Sequence, residues 1–332
     1  MSFTDRISNG IVGSPFNITQ IGWLGDSITI NDFLGPTSQG ATNQKLGFAS
    51  IVSSYFGAFS DNQAQSGRIL SSFLPNQSGA VGSAVKNFDG EWLLDGAQWY
   101  WWNPTGAGAW IAVTDTGSSV NRNATSTANL TSLINNINTT HVIIAQSGVN
   151  DNVSNNDAGA GDFGAHGSFH YTLLQNEIIK RLEDAGRVVI VVAGTTAADQ
   201  TFHGVGLNAR QEEIGRFSEA ARQSAFTKQV HCCDVGLRLN IELSLGRVDI
   251  LTRNSQVKPT NQTQVQWDAF LAATGDPSAS TNNFRSFDET EDYLHIGDIT
   301  RASYHHNLHP NAFGHYLMAN EIIKFINEKG FI

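Results

Sequence analysis

Five consecutive β-branched residues, Val188-Val189-Ile190-Val191-Val192, show no polar alternation. A strand built from them must be covered on both faces, which a sheet with one wet face does not offer. The residues before them supply cover, because Leu174, Ile178 and Leu182 mark one face of a helix and Gly186 stands where that helix would end. The same unit recurs along the chain. Ile18 to Leu24 reads as a strand that stops at Gly25-Asp26-Ser27, and residues 43 to 57 read as a helix carrying Leu46, Phe48, Ile51 and Tyr55, with a second short strand nearby at the polar segment Asp61 to Gly67. Ala128 to Asn138 forms a helix leading into Val142-Ile143-Ile144-Ala145, a run that ends at Gly148-Val149-Asn150-Asp151. A helix over Leu207 to Ala225 precedes a strand from Val230 to Val235, and a last helix opens just after His309-Pro310 with Phe313, Leu317, Met318, Ile322, Phe325 and Ile326 on one side. Strands alternating with helices predict an α/β fold, a parallel sheet with helices on both faces.

Two stretches break the alternation, residues 76–125 and 237–300, and each is too long for an ordinary connection. Both are read as insertions within a single domain spanning residues 1–332, since no repeat or low-complexity linker divides the chain. The first holds five of the seven tryptophans, Trp92, Trp99, Trp101, Trp102 and Trp110, among glycine-rich turns, which predicts a small β-structure. Alternation there sets Trp99 and Trp101 on one face and Tyr100 and Trp102 on the other. One pair fills a core or the other stacks on sugar rings. The second insertion is mixed.

Charge narrows the partners. Lys plus Arg number 20 against 30 for Asp plus Glu, and a net charge of −10 repels phosphate backbones and anionic lipid headgroups. Nucleic acid and membrane are therefore not expected as partners. No run of eighteen apolar residues occurs, and MSFTDRISNG has neither a basic nor an apolar leader region, so neither a membrane span nor a secretion signal is expected. The two cysteines, Cys232 and Cys233, are adjacent, a spacing that does not suit an unstrained disulfide. Cysteine poverty fits a cytoplasmic protein, and equally a virion or extracellular component that arrives by another route.

In a doubly wound sheet the crevice lies beyond the carboxyl ends of the strands. The residues there are Gly25-Asp26-Ser27, Gln65-Ser66-Gly67 and Gly148-Val149-Asn150-Asp151, with His309-Pro310 opening the final helix. Acyl transfer needs a nucleophile, a base to take its proton and donors for an oxyanion. Ser27, His309, and Gly67 with Asn150 supply these in turn, and the Ser27 N–H is a third donor. A glycine lets its N–H approach the substrate oxygen without a side chain in the way, and an imidazole accepts a serine proton near neutral pH.

These blocks resemble those of the GDSL/SGNH hydrolase superfamily: Leu24-Gly25-Asp26-Ser27-Ile28, Ala64-Gln65-Ser66-Gly67, Gly148-Val149-Asn150-Asp151 and His309-Pro310-Asn311, in that order. The resemblance implies a three-layer α/β/α sandwich with a flavodoxin-like sheet, and ester hydrolysis through a serine-bound acyl intermediate without metal or organic cofactor. It implies Ser27 as nucleophile, Ser27, Gly67 and Asn150 as the oxyanion hole, and His309 as general base. One position departs from the pattern. The family places Asp three residues before the histidine, and here that position is His306. A neutral imidazole at 306 would orient His309 without stabilising an imidazolium as a carboxylate does, and a backbone carbonyl or Asp298 are the other candidates. The histidines 305, 306, 309 and 315 also have spacings found in zinc sites, but no HExxH pattern or neighbouring cysteine accompanies them, and no metal is expected.

The sequence thus reads as a serine esterase acting on short-chain acyl esters, with acetyl groups on a carbohydrate or polysaccharide as the leading class and a larger phage or cell-surface assembly as its setting. An acyltransferase on the same fold and a non-catalytic carbohydrate-binding protein are the alternatives.

Overall fold

The computed structural model describes residues 19–30, 47–65, 68–113, 127–145, 148, 151, 161–194, 208–244, 251–254, 284–285, 306–310 and 312–330. The apolar runs form five parallel strands: β1 (Gln20–Gly25), β2 (Phe59–Asn62), β3 (Thr139–Ala145), β4 (Val188–Ala193) and β5 (His231–Asp234). They hydrogen-bond in the order β2-β1-β3-β4-β5, and every pairing is parallel. This is the flavodoxin-like arrangement of a doubly wound α/β protein.

Strand alternation sorts the core into two layers. Ile21, Trp23, Ile143, Ala145, Ile190, Val192 and Cys233 face one side, where they pack with α2 (Phe48–Tyr55), α6 (Val235–Ser244) and α7 (Ala312–Lys329). Leu24, Val142, Ile144, Val189, Val191 and Ala193 face the other, against α3 (Thr127–Asn135), α4 (Gly161–Asp184) and α5 (Asn208–Lys228). Burying each Val, Leu or Ile side chain among these contributes about 1.5–3 kcal/mol, so coverage of both faces is what makes the all-apolar β4 tolerable. A four-residue helix, α1 (Ser27–Ile30), follows β1 directly.

Residues 77–112 build a separate four-stranded sheet from Gln77–Ser78, Trp92–Asp95, Gln98–Asn103 and Ala109–Ala112. Trp92, Trp99 and Trp101 form its core with Val113, while Tyr100 and Trp102 are half-buried on the opposite face. His170 of α4 docks this sheet to the main body: its ring lies 4.9 Å from Trp92 and 4.8 Å from Trp101, and Nε2 donates to the Gly90 carbonyl at 2.7 Å.

Helix α4 runs from Gly161, more than three turns before the periodic face at Leu174, and Gly161, Gly164 and Gly167 give that stretch a poor helix propensity. The final helix, α7, does open just after His309-Pro310, at Ala312, but His309-Pro310 itself lies in a strand, β6 (His306–Pro310), paired antiparallel with Leu251–Asn254. Proline has no N–H and disfavours the α conformation in the residue before it, which keeps His309 extended.

No helix among the described residues is long and apolar enough to cross a membrane. Both thiols of β5 are free, and burial raises them, Cys232 up to about 11 and Cys233 further. At pH 8 the Cys232 thiolate fraction is on the order of one in a thousand. Iodoacetamide at that pH should therefore leave both cysteines of the folded protein unlabelled and modify both once urea unfolds it; rapid labelling of folded Cys232 would contradict this packing.

Candidate functional site

The strand order reverses between β1 and β3: β2 lies on one side of β1, and all later strands of the sheet lie on the other. Ligands of such sheets bind at this switch, outside the carboxyl ends of the strands. The chain leaving β1 is held there by a dense set of bonds. Asp26 is fully buried, its Oδ1 accepts the Ile28 N–H at 3.0 Å, and its carbonyl accepts the N–H groups of Thr29 and Ile30. Asp26 thus caps α1, and Ser27 is the first residue of that helix.

Two long-range bonds fix α1 against the neighbouring strands. Thr29 Oγ1 donates to the Ala145 carbonyl at the end of β3 at 2.6 Å, and Asn62 Nδ2 at the end of β2 donates to the Thr29 carbonyl at 3.1 Å. Gly25 makes this possible, since a Cβ there would stand 2.4 Å from Thr29 Oγ1 and 2.7 Å from the Ala145 oxygen.

The second and third turns converge on the same place. Beyond β2 the parallel pairing continues, with the Gln63 N–H donating to the Trp23 carbonyl and the Gln65 N–H to the Gly25 carbonyl at 3.0 Å. Arg68 Nε then donates to Gln65 Oε1 at 2.7 Å. Beyond β3, Asp151 Oδ1 accepts the Leu70 N–H at 3.0 Å, which ties the segment after β3 to the one after β2. Gly148 has φ +76°, and a Cβ there would lie 2.5 Å from Cβ of Phe217. Both the backbone sign and the close approach require glycine. Gly67 and Asn150 themselves lie outside the described residues, as does Asp298. Their described neighbours, Gln65, Arg68, Gly148 and Asp151, belong to the bonds and contact just given.

The histidine segment reaches this end of the sheet through β6, whose Cα atoms come within 8 Å of those of α1. His309 is the fourth residue of β6, and His306 at its start stands opposite Arg253 in the antiparallel register. Three residues of extended chain separate the two backbones by about 10 Å. The structure thus brings together the element that Ser27 opens and the strand that carries His306 and His309. His315 serves elsewhere: it is 1% exposed, its Nδ1 accepts the Phe48 N–H at the start of α2, and its ring stacks on Phe48 at 5.6 Å. No group of three His, Cys, Asp or Glu side chains is arranged to hold a metal among the described residues.

Sequence reasoning missed Thr29 and Asn62. They bond across 116 and 33 residues, and local pattern carries no signal of such ties.

No protein-family model and no curated protein matches the chain. Among solved structures it is similar to a variant of an acetyl xylan esterase from Geobacillus stearothermophilus, at 11% identity and TM-score 0.45, with 95% of each chain covered. It is also similar to a lipase/acylhydrolase from Enterococcus faecalis, at 11% identity and TM-score 0.43, covering 93% of this chain and 96% of that one. A third, provisionally described as an SGNH hydrolase from Slackia heliotrinireducens, has 11% identity and TM-score 0.41, with 93% and 100% covered.

The bond from Thr29 to Ala145 generates a direct test. Thr29→Val keeps the shape but leaves a buried carbonyl short of its donor, and should lower stability by about 1–2 kcal/mol in urea denaturation; an unchanged midpoint would show that this bond does not hold α1.

Proposed function

We propose that this chain is a serine ester hydrolase of the GDSL/SGNH type that removes short acyl groups, acetyl foremost, from a carbohydrate. One observation supports it above the rest. Ser27 opens a helix at the carboxyl end of β1, at the switch point of the sheet, and the strand bearing His309 runs beside that helix. A nucleophile at this location brings its own backbone N–H to the oxyanion, while Asp26 holds the N–H groups of Ile28, Thr29 and Ile30 and so fixes the turn.

In the proposed reaction Ser27 Oγ attacks the ester carbonyl carbon while His309 takes its proton. The oxyanion receives hydrogen bonds from the Ser27 and Gly67 N–H groups and the Asn150 amide. Collapse of the tetrahedral intermediate expels the alcohol, which takes the proton from His309. Water then attacks the acyl-serine with His309 again as base, releasing the carboxylate and restoring Ser27. The chemistry calls on no metal or organic cofactor. His309 is oriented by a neutral partner, a backbone carbonyl or His306, in place of the usual carboxylate.

The carbohydrate part of the proposal draws on the small sheet, where Tyr100, Trp102 and Trp110 are half-buried on one face and aromatic rings suit the apolar faces of sugars. A neutral polar surface, with only 15% charged residues, suits a hydroxyl-rich substrate. Such an enzyme fits a setting in a phage or cell-surface assembly that meets acetylated polysaccharide.

The test is release of p-nitrophenol from acetyl and longer acyl esters, with and without EDTA. Ser27→Ala should lower kcat by about a thousandfold or more, and the chelator should change nothing. Equal rates for the two proteins would refute the serine mechanism, and loss of wild-type activity in EDTA would point to a metal. His306→Asp would place a carboxylate three residues before His309 and should raise kcat by about tenfold through a stabilised imidazolium; no gain would mean that residue 306 does not orient the base.

A further inference from the structure

The end of β2 carries a side-chain amide that joins two segments of the candidate site. Asn62 Nδ2 donates to the Thr29 carbonyl in α1 at 3.1 Å, and Asn62 Oδ1 accepts the Ala64 N–H at 3.1 Å. Only one orientation of the amide satisfies both partners. Turned over, it would set an oxygen against the Thr29 oxygen and an NH2 group against the Ala64 N–H. The backbone of Asn62 is placed as firmly, since it stands opposite Trp23 in the parallel register of β1 and β2.

Both partners belong to segments whose spacing matters. A helix of four residues leaves its own carbonyls without partners inside it, and Thr29 is buried, so its carbonyl calls for a donor from elsewhere in the protein. Thr29 Oγ1 already ties the same residue to β3, and Asn62 completes the hold from the β2 side. On the other side, the chain that leaves β2 toward Gly67 is tied residue by residue. The Gln63 N–H donates to the Trp23 carbonyl, the Gln63 carbonyl accepts Asn129 Nδ2 from α3 at 2.8 Å, and the Gln65 N–H donates to the Gly25 carbonyl. Those bonds fix the segment to β1 and α3, and the Asn62 amide extends the network to α1.

We propose that Asn62 is a positioning residue for ester cleavage: its amide, bonded at one end to α1 and at the other to the chain leading to Gly67, sets the spacing between the helix that Ser27 opens and the segment from which the Gly67 N–H is offered to the oxyanion. The proposal rests on the serine esterase reading above. Asn62 acts through the two backbones it holds, and the quantity it controls is the alignment of nucleophile and oxyanion donor. Displacing such groups by about 1 Å costs on the order of a hundredfold in rate.

The test compares Asn62→Ala and Asn62→Asp with wild type on p-nitrophenyl acetate, with Ser27→Ala as control, near-ultraviolet circular dichroism as the check on packing and urea denaturation as the measure of stability. Asn62→Ala should lower kcat about tenfold to a hundredfold with KM within about twofold. Asn62→Asp keeps the acceptor for the Ala64 N–H and loses the donor to Thr29, so a loss of about tenfold or more there assigns the effect to the bond with α1. A trifluoromethyl ketone, whose adduct with Ser27 sets an oxyanion among the same donors, should lose affinity by about the factor lost in kcat/KM. A lower urea midpoint with unchanged kcat is what a merely structural role gives, and it would overturn the proposal, as would undiminished binding of the ketone. If Asn62→Ala does not fold, Asn62→Asp carries the same test with the same outcomes. Retained activity in Ser27→Ala would overturn the esterase reading itself, a failure separate from that of Asn62.

Discussion

A carboxylate with no exposure at the end of an inner strand of a sheet is costly unless it is bonded, and Asp26 is bonded to the backbone it organises. Its side chain and its carbonyl together hold the N–H groups of Ile28, Thr29 and Ile30, so a helix of only four residues has a defined start. A charge-assisted bond of this kind contributes about 1.5–3 kcal/mol. Isolated helices so short do not form, and α1 exists because Asp26 caps it at one end and Thr29 clamps it to β3. Everything at the switch point refers to this turn: β2 reaches it through Asn62 and Gln65, β3 through Ala145, and β6 by running beside it.

Much of the framework was legible because it follows from local pattern. Val188 to Val192 could only be a doubly covered strand, and from Val189 onward the run is buried. The turn blocks were legible as chemistry because Gly, Asp, Ser and Asn cluster at strand ends. The ties that set the distances between those blocks were not legible, since they join residues far apart in sequence through single hydrogen bonds. The start of α4 was hidden for a different reason: three glycines weaken the local signal, and the helix is held by contacts made further along, at His170, Tyr171 and Leu174.

Those contacts give α4 a double attachment. His170 enters the tryptophan cluster of the small sheet, and Tyr171, the next residue, belongs to the core beneath the strand ends. Successive residues on a helix point about 100° apart, so one helix turn can serve both neighbours only where the small sheet packs beside the main sheet's layer rather than over it. Leu173 and Leu174 repeat the division, the first against the small sheet and the second in the main core. The small sheet is therefore anchored on the same turn of helix that enters the main core.

The placement of the histidine segment follows from Pro310. With the residue before a proline kept out of the α conformation, His309 stays on an extended strand, and antiparallel pairing with Leu251–Asn254 sets how far that strand reaches. In the proposed esterase, a base on such a strand would be positioned by backbone pairing. In a serine esterase built this way the imidazolium that forms in the transition state has no carboxylate three residues back, because His306 stands there. Asp26 already holds the N–H groups of Ile28, Thr29 and Ile30, so of the N–H groups at the start of α1 it is that of Ser27 which the proposal assigns to the oxyanion, and the rigidity of the capped turn is what would make that donor effective.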